Sequence, residues 1–372
     1  MRSLQQILAA RARWPGPSVL GTVVDVRGSA YRMPGARMLM RDDGARLGMI
    51  SGGCLEKDVV RHAFAWTADG PSVVEYDTRT DELHPAGRYG TGCDGIVHLL
   101  LERVTREVPD VGVDPLGEIG RVWESRTAAT MATVYDGPPE LIGKRVVRCR
   151  DGLRHDALEE ATVAALDRAL STAGSGRRPV SVQTAGVTAL VEPLRPPLDV
   201  VVIGAGDDAQ PLVAMGAQMG WRVRVADKWP ALVTRERFPT AHALVCAAPD
   251  RVVDELVVSS DAVVVLLTHN LGDDAALLPG LLACGADVLL VGPRRRTARL
   301  LETLAGRGQL PSAAQLDQLQ TPAGLDLGGE APEEVAVSIV AGIVARMNGR
   351  EGGTLAHNGA AIHDEHVRMV IE

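Results

Sequence analysis

The stretch from Asp199 to Asp227 constrains the fold more than any other part of the chain. A β-branched run, Asp199-Val200-Val201-Val202-Ile203, leads into Gly204-Ala205-Gly206-Asp207-Asp208-Ala209. A helix-spaced apolar segment continues to Met219, and a second strand pattern, Arg222-Val223-Arg224-Val225-Ala226, stops at Asp227. A G-x-G-x-x-A turn between strand and helix, with an acidic residue ~20 positions on, is the arrangement of dinucleotide-binding folds. Strand patterns at 243–247, 262–268 and 287–291 alternate with helical stretches, as a doubly wound parallel sheet needs. The turn leaves the ligand open. Asp207 and Asp208 put carboxylates where the helix dipole would otherwise meet a phosphate, so Gly204 and Gly206 suit either a pyrophosphate or simply a tight turn. Asp227 suits a ribose diol or a turn cap. His269, in Thr268-His269-Asn270 at the carboxyl end of a strand, stands where ligands of open sheets bind and equally fits a turn.

Two glycine-rich cysteine loops mark the N-terminal half. They are Ile50-Ser51-Gly52-Gly53-Cys54-Leu55-Glu56 and Tyr89-Gly90-Thr91-Gly92-Cys93-Asp94-Gly95. Glycine opens the backbone to close approach. Leu55, Val59, Val60 and Ala63 share one helical face directly after Cys54, which places that thiol at a helix N-terminus. Free N–H groups there favour a thiolate over the free-thiol pKa of ~8.5, and the preceding glycines can form an anion nest. The alternative is a buried cysteine in a tight turn.

An internal repeat separates these readings. From Val19 to Val104 the pattern runs strand, Asp42-Asp43-Gly44 turn, cysteine loop, helix, strand, strand; a weaker echo runs from Ala128 to Leu194. In the second copy Ala157 stands opposite Cys54, the Ser-Gly-Gly insertion is missing, and no cysteine answers Cys93 near Gly186. If the duplication holds, the scaffold does not need the cysteine loops. Cys246, in a strand-like run, and Cys284, ending a helix-like run, read instead as small core hydrophobes.

Composition excludes several classes. Net charge is −8 with no long basic block beyond Arg294-Arg295-Arg296, which argues against nucleic-acid binding. The longest apolar run, near Ala262 to Leu267, is far below the ~20 residues that span a bilayer, and residues 1–13 lack a signal-peptide core. The expected compartment is the cytoplasm. With 3% aromatic residues, the core has to be aliphatic.

Taken in order, several motifs resemble the XdhC/CoxI accessory proteins of molybdenum hydroxylases. They are Gly28-Ser29-Ala30-Tyr31-Arg32-Met33-Pro34-Gly35-Ala36-Arg37, Ser51 to Glu56, Gly92-Cys93-Asp94-Gly95, Thr268-His269-Asn270, Gly292-Pro293-Arg294-Arg295-Arg296, Pro322 to Gly328 and Ala331 to Ile339. The resemblance implies a factor that binds the molybdenum cofactor (molybdopterin) transiently, supports its sulfuration and delivers it to a xanthine dehydrogenase-type or carbon monoxide dehydrogenase-type hydroxylase. It implies a maturation chaperone rather than an enzyme, with a sulfurating enzyme and the client as partners, and a homodimer as one assembly. Cys54 and Cys93 would then offer soft contacts to molybdenum or sulfur, Gly52, Gly53 and Gly92 would give access, and Arg32 and Arg37 would meet the cofactor phosphate. The family often carries His where this chain has Asp207. The alternative is an NAD(P)-dependent oxidoreductase using Gly204, Gly206 and Asp227.

The expected architecture is α/β, an N-terminal α+β repeat pair followed by a C-terminal Rossmann-like doubly wound parallel sheet. Its segments are a cysteine-bearing domain over 1–105, a linker and degenerate repeat over 106–197, the Rossmann-like domain over 198–350, and a flexible tail over 351–372 containing His363-Asp364-Glu365-His366.

Overall fold

The computed structural model describes residues 2–79, 95–105, 112–174, 176–357 and 366–371. They form two compact units. One comprises residues 3–196 with the C-terminal strand, the other residues 197–357.

In the first unit, α1 (Arg2–Arg13), β1 (Ser18–Gly28), β2 (Arg37–Met40), β3 (Arg46–Gly48), α2 (Glu56–Trp66), β4 (Ser72–Asp77) and β5 (Gly95–Val104) make one copy of a motif. The second copy repeats it as α3 (Pro115–Ser125), β6 (Ala129–Asp136), β7 (Arg145–Cys149), β8 (Gly152–His155), α4 (Glu160–Ala173), β9 (Val180–Thr184) and β10 (Val187–Leu194). The sheets run β3-β2-β1-β5-β4 and β8-β7-β6-β10-β9, so the duplication read from the sequence is present strand for strand. The segment expected as a linker holds α3, which starts on an Asp114 cap and Pro115, and is the counterpart of α1.

Register fixes the equivalences. Leu20 faces Glu102 across β1 and β5, and Met131 faces Glu192 across β6 and β10. Leu20 and Met131 meet in one buried cluster with Leu39 and Val147, themselves an equivalent pair. Both copies also carry a β-bulge at matching places, skipping Val24 in β1 and Tyr135 in β6.

Two ion pairs cross between the copies. Arg37 of β2 donates to Glu192 of β10, and Arg145 of β7 donates to Glu102 of β5. Each arginine also donates to the carbonyl two residues earlier, Gly35 at 3.0 Å and Gly143 at 2.8 Å. All four side chains are buried, at 7% and 5% exposure for the first pair and 5% and 7% for the second.

The chain's C-terminal end departs from the expected flexible tail. Arg368–Val370 forms β17, which adds to β9 in parallel. Arg368 Nη2 donates to both oxygens of Asp25, at 2.8 and 3.0 Å, and so compensates a carboxylate only 2% exposed. Charge and strand pairing together dock this segment. Residues 363–365 of the acidic and histidine motif lie outside the described residues.

The second unit is built from β11 (Asp199–Ile203), α5 (Ala209–Gln218), β12 (Arg222–Asp227), β13 (Ala243–Cys246), α6 (Val252–Leu256), β14 (Val263–Leu266), α7 (Leu271–Ala283), β15 (Asp287–Leu290), α8 (Arg294–Gly306), α9 (Ala313–Leu316), β16 (Leu319–Gln320) and α10 (Pro332–Met347). Its sheet is parallel throughout, in the order β13-β12-β11-β14-β15-β16. Val200, Val202 and Val225 face α5 and α10, while Val201, Val264 and Leu266 face α6, α7 and α8. Order reverses between β11 and β14, which opens a crevice at their carboxyl ends. Among the described residues no helix is long and apolar enough to cross a membrane.

The crossed ion pairs yield a prediction. Arg37→Met strands Glu192 and should destabilise the first unit by roughly 3–5 kcal/mol, whereas Arg37→Met with Glu192→Leu should recover most of that loss. Urea unfolding followed by circular dichroism measures both. Equal destabilisation by the single and double variants would contradict it.

Candidate functional site

The cysteine loop joins β3 to α2 and is held by one carboxylate. Glu56, at the first residue of α2 and 1% exposed, turns back to accept the amides of Ile50 (3.2 Å) and Ser51 (2.8 Å) and the Ser51 hydroxyl. Burial alone would raise the Glu56 carboxyl, but these hydrogen bonds outweigh it and hold it below the usual value. Ser51 Oγ in turn accepts the amides of Gly53 (3.1 Å) and Leu55 (3.2 Å), and Cys54 Sγ lies 3.3 Å from the same oxygen. The helix therefore starts at Glu56, with Cys54 just ahead of its cap residue Leu55.

This scaffold leaves Cys54 half-buried, with room beside it. Gly53 has φ +113°, and a side chain there would meet no atom within 4 Å. The ring of Tyr31, 61% exposed, stands over Gly52. A soft sulfur donor on a rigid, open loop is chemically suited to a soft metal or a persulfide.

The other predicted residues of this unit divide. Arg32 is half-buried and has no ion pair among the described residues. Arg37, expected to meet a phosphate, is buried and paired with Glu192, since a buried guanidinium needs a carboxylate. Gly92 and Cys93 lie outside the described residues. What the structure does show is where their segment leaves the sheet. Thr78 and Gly95 pin its ends, with the Thr78 amide donating to the Gly95 carbonyl at 2.9 Å. In the second copy the same connection is the tight turn Ala185-Gly186, both residues at positive φ. Both insertions that distinguish the first copy thus carry a cysteine.

In the second unit, Gly204, Gly206, Asp227, Thr268 and His269 converge on the sheet crevice, around a cavity of about 250 Å³. Gly204 has φ +110°, and a Cβ there would fall 2.3 Å from the Leu267 carbonyl oxygen, so only glycine fits. Asp227 accepts the amides of Ala205 (2.8 Å) and Trp229 (2.9 Å). The two acids at the start of α5 are each engaged: Arg237 Nη2 donates to Asp207 at 2.9 Å, and His269 Nε2 lies 2.7 Å from Asp208. Arg296, from the arginine run, reaches Asp274 at 2.6 Å and braces the Thr268 turn through that carboxylate. Cys246 is exposed and Cys284 only half-buried, so neither is the core residue its neighbours suggest. At β13 the sheet ends, and the edge leaves Cys246 uncovered.

Residues 13–77 match the model described as the XdhC and CoxI family, and residues 200–343 match the XdhC Rossmann domain. A relative from Bacillus subtilis (strain 168), described as a probable xanthine dehydrogenase subunit, is 31% identical over 88% of this chain and 92% of its own length. This chain belongs to the XdhC and CoxI family. A solved structure described as a xanthine dehydrogenase from Bacillus halodurans is similar to it with a TM-score of 0.76, at 25% identity over 94% of this chain and 97% of that one. "Molybdenum cofactor insertion chaperone PaoD" from Escherichia coli (strain K12) is 32% identical over 26% of this chain and 29% of its own length.

Ser51 and Glu56 form a staple that sequence reasoning missed, since their spacing matches no standard capping box. The acids at α5 carry a prediction: NAD should bind more weakly than micromolar, and Asp207→Ser with Asp208→Ser should strengthen it, by removing repulsion and releasing Arg237 and His269. Calorimetry decides this. Micromolar affinity in the unaltered protein would contradict it.

Proposed function

We propose that this protein is a maturation factor that binds the molybdenum cofactor, supports its sulfuration and delivers it to a xanthine dehydrogenase-type or carbon monoxide dehydrogenase-type hydroxylase. The observation that carries the reading is the Cys54 loop. A thiol stands on a loop stapled by Ser51 and Glu56, and the duplicated copy keeps the surrounding scaffold while dispensing with that loop. The name of the Escherichia coli relative supports the same direction.

The donor chemistry fits the cofactor. Bound there, it would supply a molybdenum centre ligated by sulfur, for which Cys54 is a soft partner and Arg32 a cation for the phosphate. Cys93 is proposed as the second thiol. A sulfurating enzyme and the client are the partners of this reading, with a homodimer as its assembly. Reading the chain as an NAD(P)-dependent oxidoreductase draws support from Gly204 and Asp227 in the crevice, but the acids at α5 weigh against it.

The test is activation of a molybdenum hydroxylase in a strain lacking the chromosomal copy. Cys54→Ser and Cys93→Ser should each abolish most client activity with circular dichroism unchanged, and Cys246→Ser should leave activation intact. Wild-type activation by the Cys54→Ser, Cys93→Ser double variant would overturn the proposal.

A further inference from the structure

A cavity of about 660 Å³ in the first unit lies away from the cysteine staple, where the two copies face each other. Its walls come from matching positions in both. Asp25 and His98, opposite one another across β1 and β5, correspond to Asp136 and Thr188 across β6 and β10. The bulge residues Val24 and Tyr135 correspond, as do Val73 and Ser181, by the pairing of β4 with β5 and of β9 with β10.

Equivalent positions, however, do not carry equivalent chemistry. Tyr135 and Ser181 are hydrogen-bonded at 2.8 Å, where the first copy has two valines. The same scaffold therefore closes without these hydroxyls. Burial pushes the Tyr135 hydroxyl up to about 12, so it remains a donor. His366 Nε2 meets Ser181 Oγ at 2.8 Å, and burial holds His366 below the usual histidine value. His98 Nδ1 is buried with no hydrogen bond among the described residues, 3.6 Å from Asp25.

Charge is placed with equal asymmetry. Asp25, itself buried, holds two guanidinium groups on the cavity wall: Arg368, which spends only Nη2 on it, and Arg27, whose Nε is 3.5 Å away. Their side chains remain 45% and 60% exposed, so their remaining donors are available. Two guanidinium groups gathered beside one buried carboxylate can receive an oxyanion, with Asp136 the second carboxylate on the wall. Beside them the wall offers Val73, Pro139 and Ile142 as apolar surface. A volume of this size falls within the ~300–1,000 Å³ typical of small-molecule sites.

We infer that this cavity binds the phosphate ester of a planar nitrogen heterocycle, with the phosphate on Arg27 and Arg368 and the ring against the apolar wall near Tyr135 and Ser181. Pterin cofactors and nucleotides share that chemistry. Choosing the pterin rests on the maturation-factor reading above and makes this a second pterin site, separate from Cys54 and Arg32, whereas the phosphate site stands on the geometry alone.

Calorimetry on the full chain separates the sources, with neopterin monophosphate as the pterin probe and cytidine monophosphate as the nucleotide probe. At least one should bind, and Arg27→Gln should weaken it about tenfold or more through loss of a charge-assisted contact. Because Arg368→Gln alone would strand Asp25, the companion variant is Asp25→Asn with Arg368→Gln, which removes both charges and should weaken binding at least as much. Preference for the pterin ester assigns the cofactor; equal or better binding of the nucleotide keeps the site and assigns its ligand to nucleotides. No binding of either at millimolar concentration, or binding unchanged in both variants, would overturn the inference. Cys54→Ser should not alter these affinities, so this site and the thiol assignment can fail separately.

Discussion

The first unit depends on the crossed pairs Arg37 with Glu192 and Arg145 with Glu102. Each joins a strand of one copy to a strand of the other, and each is sealed from water. A buried pair of this kind adds little net stability over an apolar substitute, but breaking it is costly, so its effect is to specify one arrangement of the two copies. Both Arg37 and Arg145 leave Nε buried without a hydrogen bond among the described residues. Even that shortfall is duplicated, which argues for an inherited interface.

Once the two copies are locked, differences between them become interpretable. The scaffold needs the strands, the bulges, the crossed pairs and one helix in front of and one within each copy. It does not need the Cys54 loop, the long connection from Thr78 to Gly95, or the hydroxyls of Tyr135 and Ser181. Nor does it need β17, which pairs with β9 and has no counterpart beside β4 among the described residues. The Cys54 loop brings a thiol, the second copy brings the Tyr135 and Ser181 hydroxyls, and the C-terminal strand brings the Arg368 guanidinium. In the second unit the departures are of another kind: the Rossmann-like crevice is intact, and acids guard the end of it where phosphate would be received.

Much of this was legible from the residues. The Gly204 to Asp227 pattern gave the parallel sheet because local periodicity and turn chemistry agree there. The repeat could be read because strand and turn spacing survive divergence. Arg37 misled because a charged residue in a glycine-bearing loop motif reads as a ligand, and its partner Glu192 lies 155 positions away. Asp25 was invisible for the same reason, its partner Arg368 being 343 positions away in a segment whose composition looks flexible. Cys246 misled because a strand pattern does not tell an edge from a centre. Sequence encodes local geometry within a turn or two; pairing across copies belongs to the folded surface.

We propose that the first unit holds the molybdenum cofactor. It is tested most directly by measuring molybdenum and pterin in the full chain purified without oxygen from a molybdenum-replete host, using elemental analysis and pterin fluorescence after oxidation. The account predicts that both copurify with the protein in comparable amounts. Absence of both from protein that is folded and freshly purified would contradict it.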